Sequence, residues 1–138
     1  MREDMRKNLF DPGLFTEDTR ALMLKGSRCP DCDKTFFPPR GRCPACLKSD
    51  LIPTPLSTRG TLYSYTTVNI PSKNFKPPYT VGYVELKNSK VRVFSQIRFK
   101  EDQTVNIGMP MKMVIGHLWD EPDGTKTTGY YFEPEGKR

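Results

Sequence analysis

The chain has 138 residues, 36% of them hydrophobic and 13 of them proline, so it makes one compact unit or two small ones rather than a large apolar core. Its 22 basic and 16 acidic residues leave a formal charge of +6, spread along the chain rather than gathered, which is mild for a nucleic-acid binder. No apolar run approaches the roughly 20 residues that span a membrane, and no signal peptide precedes the cysteines, so a soluble cytoplasmic protein is expected.

Residues 1–19 open with a charged stretch, Met1 to Lys7, and continue with Leu9, Phe10, Leu14 and Phe15 around the turn-forming Asp11-Pro12-Gly13. Four large apolar residues in so short a segment predict a docking arm for another subunit; the plainer alternative is that they fold back on the rest of the chain. Arg20 to Arg28 contains good helix formers, yet it runs straight into a cysteine pair and is read as a strand, with Lys34 to Phe37 as its partner.

All four cysteines fall in two Cys-x-x-Cys pairs, Cys29-Pro30-Asp31-Cys32 and Cys43-Pro44-Ala45-Cys46, ten residues apart. Two residues between cysteines let a tight turn aim both sulfurs at one point, and two such turns face each other as a tetrahedral thiolate cage suited to zinc. Iron would accept the same geometry, but zinc is the commoner occupant. A disulfide framework or a redox dithiol accounts less well for paired motifs this regular in a reducing cytosol. A closed set of four sulfurs has no open coordination position, so its work is to hold a segment too short to make its own core. A zinc tetrathiolate carries −2 overall, which would bring the loaded protein near +4.

Phe36-Phe37-Pro38-Pro39-Arg40 reads as a stiff, extended apolar ridge flanked by the charges of Arg40 and Arg42, either packing ribbon against barrel or forming one wall of a partner or ligand surface. Leu51 to Leu56 is a proline-spaced connector of edge-like character. The boundary falls at Ser57 to Gly60, which gives an arm at 1–19, a zinc ribbon at 20–56 and a second domain at 57–138.

The second domain reads as β throughout. Strands are predicted at Thr61–Ile70, Tyr79–Leu86, Val91–Phe99, from Met109 through Ile115, and at Thr127–Phe132. Val91, Val93, Ile97 and Phe99 are assigned to one face of the third, with Phe94 interrupting the polar face. The loop Pro71 to Pro78 is tipped by Phe75, Asn88-Ser89 makes a turn, and Asp123-Gly124 turns the last hairpin. Five strands with period-two patterning and no convincing helix fit a mainly β protein in which a rubredoxin-like zinc ribbon precedes a five-stranded OB-fold barrel.

The pieces Gly26-Ser27-Arg28-Cys29-Pro30-Asp31-Cys32, Phe36-Phe37-Pro38-Pro39-Arg40, Cys43-Pro44-Ala45-Cys46, Gly60 to Thr66, Pro77-Pro78-Tyr79, Gly108-Met109 and Phe132-Glu133-Pro134, in that order, resemble a prokaryotic family long catalogued as a domain of unknown function. The family joins a zinc ribbon to an OB-fold, and the resemblance covers most of the chain after residue 20. It implies a non-catalytic accessory subunit of thiolase-type acyl-CoA enzymes, one that bridges subunits and helps enclose the CoA-thioester path. By that resemblance Phe37, Pro38, Arg40, Phe75 and Tyr79 would lie near the partner or the ligand. The family usually carries glycine after the second cysteine; here Asp33 and Leu47 follow the two pairs, and aspartate tolerates the left-handed backbone of that position better than most residues.

Two other functions fit less of the sequence. A single-stranded nucleic-acid module would stack bases on Tyr63, Tyr65 and Phe94 beside Arg92 and Arg98, although ordinary barrel packing explains those aromatics as well. An independent enzyme has little to work with. His117, the only histidine, sits inside an apolar strand, no serine occupies a nucleophile elbow, and every thiol is assigned to metal.

Overall fold

The computed structural model describes residues 14–18 and 21–135. Nine strands form among them. The ribbon is built on β2, Ala21–Cys29, whose length lets it serve two partners in turn. Its first half makes an antiparallel hairpin with β1, Phe15–Asp18, pairing Phe15 with Leu24. Its second half lies between β3, Lys34–Phe36, and β4, Ile52–Pro55. The strand reading of this segment is correct: tertiary pairing on both edges overrides its helix-forming composition. Gly26 permits the close approach, since a Cβ there would stand 2.8 Å from the Phe36 carbonyl oxygen.

The connector of the sequence reading is thus an ordered edge strand. Its prolines are tolerated because an edge strand needs only one ladder of hydrogen bonds. It ends in Leu56, whose backbone N–H donates to the Leu24 carbonyl at 2.8 Å and whose side chain is fully buried.

The second domain is a closed barrel of β5 (Arg59–Val68), β6 (Tyr79–Leu86), β7 (Arg92–Ile97), β8 (Pro110–Asp120) and β9 (Lys126–Pro134), in the order β5-β6-β7-β9-β8. Neighbours are antiparallel except β7 and β9, which meet in parallel at Ile97 and Phe132. This is the OB topology expected. Barrel closure needs local bends, and a bulge interrupts β5 between Leu62 and Ser64. Opposite it, Gly82 has no room for a side chain: a Cβ would stand 2.2 Å from the Ser64 carbonyl oxygen.

Inward-facing Leu62, Val84, Leu86, Val93, Ile97, Met111 and Phe132 fill the barrel. Phe15, Leu24 and Leu56 join the same cluster, so ribbon and barrel share one core. Phe15 is only 8% exposed and meets Tyr130 edge-on at 6.2 Å. Leu14 and Phe15 therefore fold back on their own chain, where the sequence suggested docking. Leu9 and Phe10 lie outside the described residues. Phe99 also departs from expectation. It follows the end of β7, where the strand alternation stops, and is exposed rather than aligned with Val93 and Ile97.

Candidate metal centre and neighbouring surfaces

The two cysteine pairs come together as two knuckles. Cys29 ends β2, and its carbonyl accepts the Asp33 N–H at 2.7 Å. In the second knuckle the Cys43 carbonyl accepts the Leu47 N–H at 2.7 Å, while the Cys43 N–H donates to Lys48 at 2.8 Å. Closing each turn takes a left-handed residue, and Asp33 and Leu47 supply it at φ of 56° and 67°. Lys48 reaches back to Asp31 at 2.6 Å and ties one knuckle to the other.

The four sulfurs lie within 4.8 Å of one another, with Cys29 and Cys46 Sγ 3.6 Å apart. A disulfide needs about 2.05 Å. A tetrahedron with Zn–S near 2.3 Å has edges of about 3.8 Å. The spacing thus fits a metal cage, and all four cysteines are unbridged. Cys29 and Cys43 are buried, Cys32 and Cys46 partly so. Thiols this close resist ionising together. The hydrogen bond with Cys46, then burial, push Cys32 up to about 12. Burial raises Cys43 too, but backbone N–H groups of Cys46 and Ala45 outweigh it and bring that thiol down to about 7. The donor set suits a divalent zinc ion, whose charge would stabilise the thiolates against one another.

The ridge is anchored beside this cage. Ser27 Oγ accepts the Arg40 N–H at 2.9 Å and donates to the Arg40 carbonyl at 3.2 Å. Phe37 packs against the shared core, Pro38 is exposed, and the Arg40 guanidinium lies 5.7 Å from the Phe36 ring. Phe75 and Tyr79 belong to a different place. Their rings meet at 5.3 Å, and Trp119 braces Phe75 edge-on at 5.7 Å. They line a cavity of about 610 Å³ in which Phe37, Pro38 and Arg40 have no part. The five residues suggested by resemblance are therefore two groups.

The aromatics of the nucleic-acid reading are exposed, not core. Tyr63 carries Arg92 over its ring at 3.7 Å, and Phe94, 53% exposed, meets Tyr83 at 5.3 Å. Tyr65 donates to the Val105 carbonyl at 3.2 Å, and Arg98 lies over Tyr131 at 3.9 Å. His117 lies within β8, the strand expected for it, but its side chain is exposed, with Nε2 2.9 Å from Asp120. Trp119 was passed over in the sequence; its Nε1–H donates to Glu121 at 2.8 Å, and a lone tryptophan two residues before that turn acid was the available signal. No described helix is long and apolar enough to cross a membrane.

Cage and barrel together define a two-module protein, a rubredoxin-like zinc ribbon continued by an OB-fold. The profile of the ChsH2 rubredoxin-like zinc ribbon domain matches residues 23–51, and that of the ChsH2 C-terminal OB-fold domain matches residues 53–116. The benzoylsuccinyl-CoA thiolase subunit BbsA of Thauera aromatica is 34% identical over 130 residues, covering 89% of this chain and 85% of that protein. A DUF35 domain-containing scaffold protein of Methanothermobacter thermautotrophicus is 37% identical over 116 residues, covering 81% and 86%. The chain belongs to this ChsH2-type DUF35 family. Among solved structures, the Ltp2-ChsH2(DUF35) aldolase superposes with a TM-score of 0.66 at 27% identity, over 81% of this chain and 84% of that one.

Proposed function

We propose that the chain is a cytoplasmic, non-catalytic accessory subunit of a thiolase-type acyl-CoA enzyme, docking on a thiolase-fold partner and contributing to subunit bridging and CoA-thioester binding. The observation that carries this reading is the 34% identity, over nearly the whole of both chains, to a protein named as a subunit of a CoA-thioester thiolase. Cys29, Cys32, Cys43 and Cys46 hold one structural zinc, which supplies no reactive position and keeps the knuckles and ridge in shape. Phe37, Pro38 and Arg40 face the partner, and Phe75 and Tyr79 border the path of the thioester. The subunit supplies shape and water exclusion, while nucleophile and base belong to the partner.

Arg40 tests the role of the ridge. Its side chain is exposed and stands over Phe36, so Arg40→Glu should leave the isolated chain folded. In the complex the variant should lower acyl-CoA turnover about tenfold or weaken assembly to a similar degree, as expected for reversing a charge at an interface. Unchanged kinetics and assembly would leave Arg40 an ordinary surface residue.

A further inference from the structure

Ser27 is a polar residue buried in the middle of the ribbon sheet, only 4% exposed. It lies opposite Phe36 of β3 on one side and Pro53 of β4 on the other, so its backbone belongs to both ladders and its hydroxyl is what it can offer elsewhere. β3 stops at Phe36, and the chain runs on as Phe37-Pro38-Pro39-Arg40. Proline has no N–H, so after Phe37 the next backbone donor is that of Arg40. The Ser27 hydroxyl accepts this N–H at 2.9 Å and donates to the Arg40 carbonyl at 3.2 Å. One side-chain oxygen thereby serves Arg40 as a facing strand would, with its donor and an acceptor site both filled.

The ridge is therefore pinned at both ends. Phe37 packs against the shared core, Arg40 is clasped by Ser27, and between them stand only Pro38 and Pro39, whose rings lock φ. The two arginines nearby differ in what they are free to do. Arg42 donates from Nη1 to the Leu47 carbonyl at 2.8 Å and so belongs to the second knuckle. Arg40 is exposed, its guanidinium 5.7 Å from the centre of the Phe36 ring, and among the described residues no carboxylate pairs with it. Its planar fork of N–H donors points to no acceptor in its own chain and suits an oxygen on another one.

We propose that Ser27 is a positioning residue for the partner contact: by clasping the Arg40 backbone, it fixes where the Arg40 guanidinium meets the thiolase-fold subunit. The proposal rests on the accessory-subunit reading and adds to it the residue that sets the ridge. A ridge already held in its docked shape loses less conformational freedom on binding, so the hydroxyl is felt in assembly rather than in metal retention.

The test titrates the zinc-loaded chain against its thiolase-type partner, as wild type, Ser27→Ala, Arg40→Ala and the double variant, and follows amide hydrogen exchange in the isolated chain. Ser27→Ala should keep its zinc and raise the Kd for assembly about fivefold, the usual size for one lost hydrogen bond. Its Arg40 amide should exchange about tenfold faster, while the Asp33 and Leu47 amides that close the knuckles keep their protection. In the Arg40→Ala background the same substitution should change Kd by less than about twofold, because the side chain it positions is gone. Equal losses in the two backgrounds, or loss of zinc from Ser27→Ala, would make Ser27 a residue of the ribbon's stability alone and overturn the proposal. An unchanged Kd, or an Arg40 amide that exchanges no faster, would overturn it as well. A wild-type chain that forms no complex would instead remove the accessory-subunit reading, and the proposal with it.

Discussion

Leu47 occupies a backbone position that suits glycine. Its φ is 67° and its side chain is 65% exposed, so the leucine carries the cost of a left-handed residue with little burial in return. Leu47→Gly should stabilise the metal-loaded chain by about 1 kcal/mol, read as a higher thermal midpoint. A lower midpoint would mean that the side chain has a contact of its own. Asp33, at the matching place, pairs with Arg28 at 3.0 Å and should gain less from the same change. That both positions need this conformation was legible from the two cysteine pairs; that exposed leucine fills one of them was visible only as a departure from the glycine rule.

Glu121 adds a pH dependence at the same scale. The hydroxyl of Thr127, at 2.6 Å, and then the indole N–H of Trp119 donate to its carboxylate and hold it below the ordinary glutamate range. A depressed native value means that the stabilisation is present above the unfolded value, near about 4.3, and is lost as pH falls through the native one. Wild type should therefore exceed Glu121→Gln in stability at pH 6, with the gap closing as pH drops through and below the glutamate range. A gap that persists unchanged at pH 3 would contradict this account.

Among elements, the β1–β2 hairpin is one that the sequence concealed. Its apolar residues sit next to turn chemistry and read as unpartnered, because the surface they cover is made by strands far along the chain, Tyr130 among them. Long-range packing of this kind leaves no local periodicity to detect. Phe15→Ala should cost about 3 kcal/mol, the usual price of an aromatic lost from a core, and chemical denaturation would measure it. A loss under about 0.5 kcal/mol would mean that the hairpin does not seal the core. The five barrel strands, by contrast, were legible in number and order, with most ends within two residues, since period-two alternation and turn dipeptides are local signals; β8 runs on to Asp120, past the Ile115 at which its alternation was followed. The connector before the barrel was not: Pro53 and Pro55 masked a strand whose pairing lies wholly with β2.

At the scale of the molecule, ribbon and barrel act as one body around a shared core, so the cage and ridge are held in a fixed relation to the β7–β9 side of the barrel. The sulfur cage was legible from spacing alone, because Cys-x-x-Cys geometry is set within a turn. The cavity beside Phe75 and Tyr79 was not legible, since its lining comes from the loop before β6, from β5, β6, β7 and β8, and from the segment after β7, and only barrel closure brings them together.

The most direct measurement is native mass spectrometry of the chain co-expressed with a thiolase-type partner. The account expects a stable hetero-oligomer carrying one zinc ion per copy of this chain, with acyl-CoA turnover in the assembly and none from this chain alone. A chain that emerges alone and monomeric, or that turns over acyl-CoA by itself, would contradict it.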